Sequence, residues 1–394
     1  MALTSNLTKT ASPILISIAI VWGGFAFLES SRHLSLLIFG VLFALCAYYV
    51  VLLRGRARDA ALIGASLKLG LFVIEIAVWK FGGAPTFYKE KGSWAPRPDL
   101  GWSPARPGPI HEKKIDASGR IVFDVVNTID AFLTRKVESN SNGPTIAFFG
   151  DSMTFGAGVN DDETLPQAFA DQTGRRYNVL NLAASAYGPQ QFLRALELGV
   201  HDARLRRDPR LIVMLTAPWH AFRTSCKDEN AWLGPSYEMQ DGAPVFAGPC
   251  SARATGLSGA LRNLFRSTEA YKFFLGTRER PLEPADIDLY VAILSRAGRI
   301  VREKFGAPTL ILYLPDNLAT PRYRLGAGYS NDDIVHKLRE GGLTVLDASI
   351  DASAYPGQIL MIPGDGHPSG FAYKIMAEQI KDFVAREIEP SVGR

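Results

Sequence analysis

Cysteine is scarce in this chain, with 3 in 394 residues, and histidine is hardly commoner at 6. No Cys/His spacing of zinc-binding type occurs. There is no His-Glu-x-x-His, no phosphate-binding Gly-x-x-x-x-Gly-Lys and no Gly-x-Ser-x-Gly elbow. No metal and no cofactor is therefore expected. Charge of one sign is also missing: the net charge is +4 and no Lys/Arg block stands out, which excludes nucleic acid as a partner. Internal repeats and long low-complexity tracts are absent as well.

Apolar sequence is plentiful and concentrated at one end. Residues Pro13–Leu28, Leu34–Leu53 and Ala60–Trp79 form three apolar blocks separated by short polar breaks. A spanning helix takes about 20 apolar residues. The second and third blocks meet this; the first is marginal and contains Gly23-Gly24. It lacks the basic start beyond Lys9 and the small-residue cleavage site of a signal peptide, so a retained helix is expected. Arg54, Arg56 and Arg58 crowd the link between blocks two and three, and basic links favour the cytoplasmic side. Residues 1–79 are thus expected to be three transmembrane helices, multi-pass in the inner membrane and lying in the lipid bilayer. The chain after Trp79 then emerges on the periplasmic or extracellular side. Lys80, Lys89 and Lys91 run against this orientation, and a cytoplasmic enzyme with a hydrophobic hairpin is the alternative. Lys68 and Glu75 fall on one face of the third block: either they reach toward the two membrane surfaces, or they contact a membrane protein partner.

Cys46 lies in the second block, leaving Cys226 and Cys250 alone in the remainder, 24 positions apart in a Gly/Pro-rich stretch. In an oxidising compartment this pair is a disulfide candidate; two free buried thiols are the alternative.

Residues 80–143 read as a linker and a β-decoration, with short strands about Arg120–Val126. From residue 144 strand and helix signals alternate. Strands are expected at 144–149, 177–182, 210–216, 309–314 and 343–348. Helices are expected near 165–173, 190–204, 285–305, 332–340 and 369–388. This alternation predicts an α/β fold: a three-layer α/β/α sandwich on a five-stranded parallel, flavodoxin-like sheet, spanning 144–394. Residues 222–284 break the pattern, with a hairpin turning at Asp241-Gly242 and an amphipathic helix at 257–275. They read as an insertion over the active-site end of the sheet.

The segment Ile146-Ala-Phe-Phe-Gly-Asp-Ser-Met-Thr-Phe-Gly156 places Ser152 just past the end of a buried strand, where open α/β sheets gather their chemistry. Serine is also a common helix N-cap there. More than 200 residues later comes Gly364-Asp365-Gly366-His367-Pro368-Ser369. Gly150-Asp151-Ser152 with Thr154 two beyond, together with the distant Asp365-x-His367, resembles the SGNH/GDSL hydrolase superfamily from about Pro144 to the C-terminal end. That resemblance implies Ser152 as nucleophile, His367 as its base and Asp365 as the group orienting the imidazole. His33, His111, His201 and His336 are expected to be surface residues.

For the oxyanion hole, the resemblance implies the Ser152 N–H, a glycine N–H from a second block and an asparagine from a third. Here the second block is Asn181-Leu-Ala-Ala-Ser-Ala-Tyr-Gly188, with Ala186 at the glycine position and Gly188 two beyond. The third block is Thr216-Ala-Pro-Trp-His220, with no asparagine. His220, or the Trp219 indole, is the expected substitute donor.

The activity implied is that of a membrane-anchored serine esterase working through an acyl-serine. Its location favours removal of O-acetyl groups from an envelope or exported polysaccharide, so the substrate is an acylated glycan or small ester. Trp219, Trp232 and Tyr237 are candidates for stacking on sugar rings. The alternatives are an O-acyltransferase to a glycan, a lipid or thioester hydrolase, and a non-catalytic subunit of a membrane complex.

Overall fold

The computed structural model describes residues 34–81, 86–228, 231–253, 259, 266, 268–274, 282–315 and 329–389. The chain divides into two compact units, one of residues 1–84 with 254–278 and one of 85–253 with 279–394.

In the first unit, α1 (Leu34–Leu52) and α2 (Arg56–Phe81) form a helical hairpin closed by a turn at Gly55. Small residues set the contact: a Cβ on Gly40 would meet Phe72 at 3.4 Å, and one on Gly64 would meet Cys46 Sγ at 3.4 Å. Among the described residues one helix is long and apolar enough to cross a membrane, the 23-residue stretch Arg56–Val78; the apolar part of α1, Leu36–Leu52, is shorter. The three expected spans are therefore not reproduced, and the first block lies outside the described residues. Glu75 is fully buried, and its carboxylate accepts the Ala270 N–H at 2.9 Å, at the head of the short helix Glu269–Phe274. The rest of the helix expected at 257–275 lies outside the described residues.

The second unit carries the sandwich. Five strands, β6 (Thr145–Phe149), β7 (Asn178–Asn181), β8 (Pro209–Thr216), β11 (Thr309–Tyr313) and β12 (Thr344–Asp347), form one parallel sheet in the order β12-β11-β8-β6-β7. This is the flavodoxin-like order, whose switch point lies between β6 and β8. Both faces are buried, so the strands read as continuous apolar runs. Ile146 and Phe148 point into a core with the helices α4 (Leu165–Gln172) and α9 (Gly370–Phe383). Ala147 and Phe149 face the opposite core, with α5 (Pro189–Glu197), α7 (Pro284–Phe305) and α8 (Asn331–Glu340). The fold is thus the three-layer α/β/α sandwich, with helix bounds close to those expected.

The decoration is larger than its sequence signal. β1 (Thr86–Lys89), β4 (Gly108–Ile115) and β5 (Ile121–Ile129) form an antiparallel sheet, and β2 (Trp94–Arg97) pairs with β3 (Gly101–Pro104). Arg135 joins this sheet to the sandwich by bridging Ile129 on one side and Asn181 of β7 on the other. Its guanidinium is buried, donating to the carbonyls of Phe155 and Val159 at 2.9 Å and to Asp161 at 3.0 Å. The hairpin of the insertion, β9 (Pro235–Gln240) and β10 (Ala243–Pro249), packs its Tyr237 into the core beside α5, where the hydroxyl donates to Glu197 at 2.7 Å.

Cys226 and Cys250 form a disulfide with their Cα atoms 5.5 Å apart, tying the end of the helix after β8 to the end of this hairpin. In native protein both thiols are expected to resist alkylation until a reductant is added. Reduction should then lower the stability of this unit by about 3 kcal/mol, the chain-entropy cost of opening such a loop. Free reactivity of both thiols without reductant, followed by mass spectrometry, would contradict the bond.

Candidate active site

Strand β6 ends at Phe149, and the chain turns at once into the one-turn helix α3 (Ser152–Phe155). The turn demands glycine at 150: a Cβ there would lie 2.2 Å from Thr154 Oγ1. Asp151, not Ser152, is the N-cap, its Oδ1 accepting the Met153 N–H at 2.9 Å. The serine hydroxyl is thereby left for other work. Its Oγ lies 2.9 Å from His367 Nε2, and His367 Nδ1 is hydrogen-bonded to Asp365 Oδ2. The two ends of the sandwich sequence meet at the C-terminal edge of the sheet, and the three side chains form a continuous chain of hydrogen bonds. Burial pushes the Asp365 carboxyl up, but the hydrogen bonds and charges of His367 and Lys114 outweigh it and hold the group below the usual carboxylate range.

The remaining histidines stand apart from this chain. His111 pairs with Asp124 on the outside of the decoration, and His336 is exposed beside Glu340. His201 is a correction to the surface expectation: it packs edge-on against Phe149, and burial lowers its pKa to about 3. His33 lies outside the described residues.

The third block does different work from that expected. Helix α6 (Pro218–Thr224) opens right after β8, and its side chains converge on the second oxygen of Asp151. Trp219 Nε1 donates to Oδ2 at 2.9 Å and Arg223 Nη1 donates to it at 2.8 Å. His220 Nε2 lies 3.1 Å from the same oxygen, off the line of a well-aligned hydrogen bond, while its Nδ1 is 2.9 Å from Thr216 Oγ1. His220 has no exposed surface. It is held behind the serine, not in front of it, and is not an oxyanion donor. Trp219 is buried and bound to Asp151, and Tyr237 is buried against Glu197, so neither can stack on a sugar; of the three aromatics, only Trp232 is exposed. Burial alone would raise the Asp151 carboxyl, but His220, Arg223 and Trp219 reverse this and hold it far below the usual range. Burial in turn lowers His220.

Of the two candidate donors in the second block, one is already engaged. Gly188 N–H donates to Gln191 Oε1 at 2.8 Å, closing the cap of α5, and is not available. Ala186 sits in the left-handed region at φ 65, a conformation that costs a non-glycine residue about 1 kcal/mol. Among the described residues no acceptor lies on the N–H of Ala186 or of Ser152. The block is fastened from both sides. Trp102 Nε1 donates to Ser185 O at 2.9 Å, and Arg223 Nη1 donates to Tyr187 O at 2.7 Å. A groove of about 410 Å³ borders Ser185, lined by Lys89, Glu90, Trp94 and Trp102.

Sequence reasoning missed Lys114, Arg223 and the buried role of Asp151. In β4 the buried Ile110 and Glu112 share a face with Lys114, but its sequence Gly-Pro-Ile-His-Glu-Lys-Lys-Ile carries no apolar alternation that would have revealed this. Among the described residues no cluster of metal-ligating side chains occurs.

Replacing Asp151 by Asn should set an amide nitrogen against three donors and cost about 3–5 kcal/mol at neutral pH, as when a buried charge loses its partner. The Asp151 pKa is depressed in the folded state. Its contribution is therefore present above the unfolded value of about 4 and declines as pH falls below that. The gap in thermal unfolding midpoint between wild type and Asp151→Asn should accordingly narrow in acid; a pH-independent gap would contradict the ionised carboxylate.

Neither a protein-family model nor a curated protein sequence matches the chain. Among solved structures it is similar to a member of the lipolytic protein G-D-S-L family from Veillonella parvula DSM 2008, at 15% identity, TM-score 0.35, covering 62% of this chain and 100% of that one. It is similar also to a carbohydrate acetylesterase family member from Sinorhizobium meliloti, at 10% identity, TM-score 0.35, covering 62% and 99%. A psychrotrophic esterase from Pseudoalteromonas sp. gives 11% identity, TM-score 0.34, covering 62% and 98%.

Proposed function

We propose that this protein is a membrane-anchored SGNH-type serine esterase that removes O-acetyl groups from an envelope or exported glycan. The observation that carries the reading is the 2.9 Å contact between Ser152 Oγ and His367 Nε2, with Asp365 on the other ring nitrogen. In the forward step Ser152 Oγ attacks the ester carbonyl and its proton passes to His367 Nε2. The imidazolium then protonates the departing alcohol, leaving acyl-Ser152, and water repeats the sequence to release acetate. Asp365 keeps the Nδ1 proton in place throughout.

The developing oxyanion is received by the N–H groups of Ser152 and Ala186, a hole of two donors where the SGNH pattern has three. One donor fewer is worth about 100- to 1,000-fold in kcat. A reactive, unhindered ester such as an acetate suits that arrangement. The glycan assignment draws on the groove beside Ser185, with its two tryptophans and its Lys89 and Glu90, and on the helix Arg56–Val78, which is long and apolar enough to cross a membrane. Anchoring is proposed as multi-pass in the inner membrane, with the catalytic unit on the periplasmic side, consistent with the Cys226–Cys250 disulfide.

The test is acetate release from p-nitrophenyl acetate by the full-length protein in detergent, with butyrate and octanoate esters beside it. Turnover should fall with acyl length and drop by about 10⁴-fold or more in Ser152→Ala. Turnover that appears only when a glycan acceptor is supplied would assign an acyltransferase instead. None under either condition would leave a non-catalytic subunit.

A further inference from the structure

Asp365 sits in a loop between two glycines. Gly364 and Gly366, on either side of it, adopt φ values of 84 and 91. Within it the Asp365 and Gly366 N–H groups donate to Ile362 O at 3.0 and 3.4 Å, and the Ile362 N–H donates to His367 O at 2.8 Å; these backbone bonds leave the Asp365 side chain to contacts from outside the loop. They come from the decoration. Lys114 Nζ, at the end of β4, donates to Asp365 Oδ1 at 2.6 Å and to Gly364 O at 3.0 Å. The pair is largely shielded from water, with side-chain exposures of 14% for Lys114 and 5% for Asp365.

The local backbone is built for this reach. The β4–β5 ladder slips register between Lys114 and Ile115, since Lys114 pairs with Phe123 and Ile115 with Ile121, so Val122 is the extra residue. Bulges of this kind re-aim side chains beside active sites. Val122 is also the residue nearest the loop from β5: a Cβ on Gly364 would meet it at 3.7 Å.

We propose that Lys114 is a positioning residue for the acyl-transfer chemistry. It holds the Asp365 carboxylate by one oxygen so that the other stays on His367 Nδ1, and it keeps a cation beside the imidazole. This rests on the reading of Ser152, His367 and Asp365 as the reacting chain. A carboxylate free to rotate would share its oxygens with water and leave the imidazole unoriented. The other ionisable groups around the loop are Tyr373 of α9, Asp151 behind Ser152 and Glu163 beside the start of α9. Lys113, His111 and Asp124 form their own group on the outer side of the ladder.

The experiment measures the rate of phosphonylation of Ser152 by a fluorophosphonate, on full-length protein in detergent at neutral pH, by intact mass. In that reaction Ser152 Oγ bonds to phosphorus, fluoride leaves and the serine proton passes to His367, so no acceptor or ester is needed. Lys114→Met should react about 10- to 100-fold more slowly at neutral pH. Lys114→Arg should recover most of the rate. In an Asp365→Asn background, Lys114→Met should add little, because its effect passes through that carboxylate. A wild-type rate in Lys114→Met would overturn the proposal. So would a loss that adds fully to that of Asp365→Asn, or one that Arg does not relieve in protein whose Cys226–Cys250 disulfide is intact. No labelling of wild type that Ser152→Ala abolishes would overturn the Ser152 reading itself, and Lys114's role with it.

Discussion

The second oxygen of Asp151 holds the site together. A carboxylate with no water around it must find its compensation in the protein, and here three groups of one short helix supply it: Trp219, His220 and Arg223. The first oxygen caps α3. One side chain thereby joins the turn after β6 to the helix after β8, the two elements that flank the switch point of the sheet. Arg223 extends the tie to the second block through Tyr187 O. The turn bearing Ser152, the loop bearing Ala186 and the start of α6 consequently stand in one fixed relation.

Each acidic residue of the site has its own cation. Arg223 serves Asp151 behind the serine, and Lys114 serves Asp365 behind the histidine. The two cations arrive from opposite directions, one from the sandwich and one from the antiparallel decoration. The decoration is therefore part of the site and not an appendage to it. Arg135 makes the same point mechanically: its backbone bridges the two sheets while its side chain holds the carbonyls that follow α3.

The sandwich and the Ser152–His367–Asp365 chain were legible because both are written in local pattern. Apolar runs of strand length alternate with helical periodicity, and the two motifs lie at strand and loop ends where few conformations compete. What was not legible depends on pairings between distant segments. Lys114 lies 251 positions from Asp365, in a strand with no motif and beside a register slip. His220 looked like a donor because it stands where an asparagine was expected. That expectation had no means of weighing a buried carboxylate one turn away in space. Gly188 looked free because its engagement with Gln191 is a cap, and caps depend on where the helix begins. The membrane segment was read from apolar length and the basic link at Arg54–Arg58, and of its second and third blocks only the third gives a helix of full spanning length, since the apolar stretch Leu36–Leu52 is shorter.

Restoring an asparagine at 219 or 220 would not rebuild a three-donor hole. An oxyanion donor must stand about 2.7–3.1 Å from the developing charge. Trp219 and His220 instead lie 2.9 and 3.1 Å from Asp151 Oδ2, and His220 has no surface open to a substrate. An amide in either place would enter the same buried network and remove a group from Asp151 without reaching the face of Ser152. The departure at the third block is thus a change of function for those residues within the fold. The side chains that follow β8 hold the Asp151 carboxylate, and in the proposed chemistry the oxyanion would fall to the backbone N–H groups of Ser152 and Ala186. That places unusual weight on the backbone geometry at Ala186, whose positive φ the flanking contacts from Trp102 and Arg223 maintain.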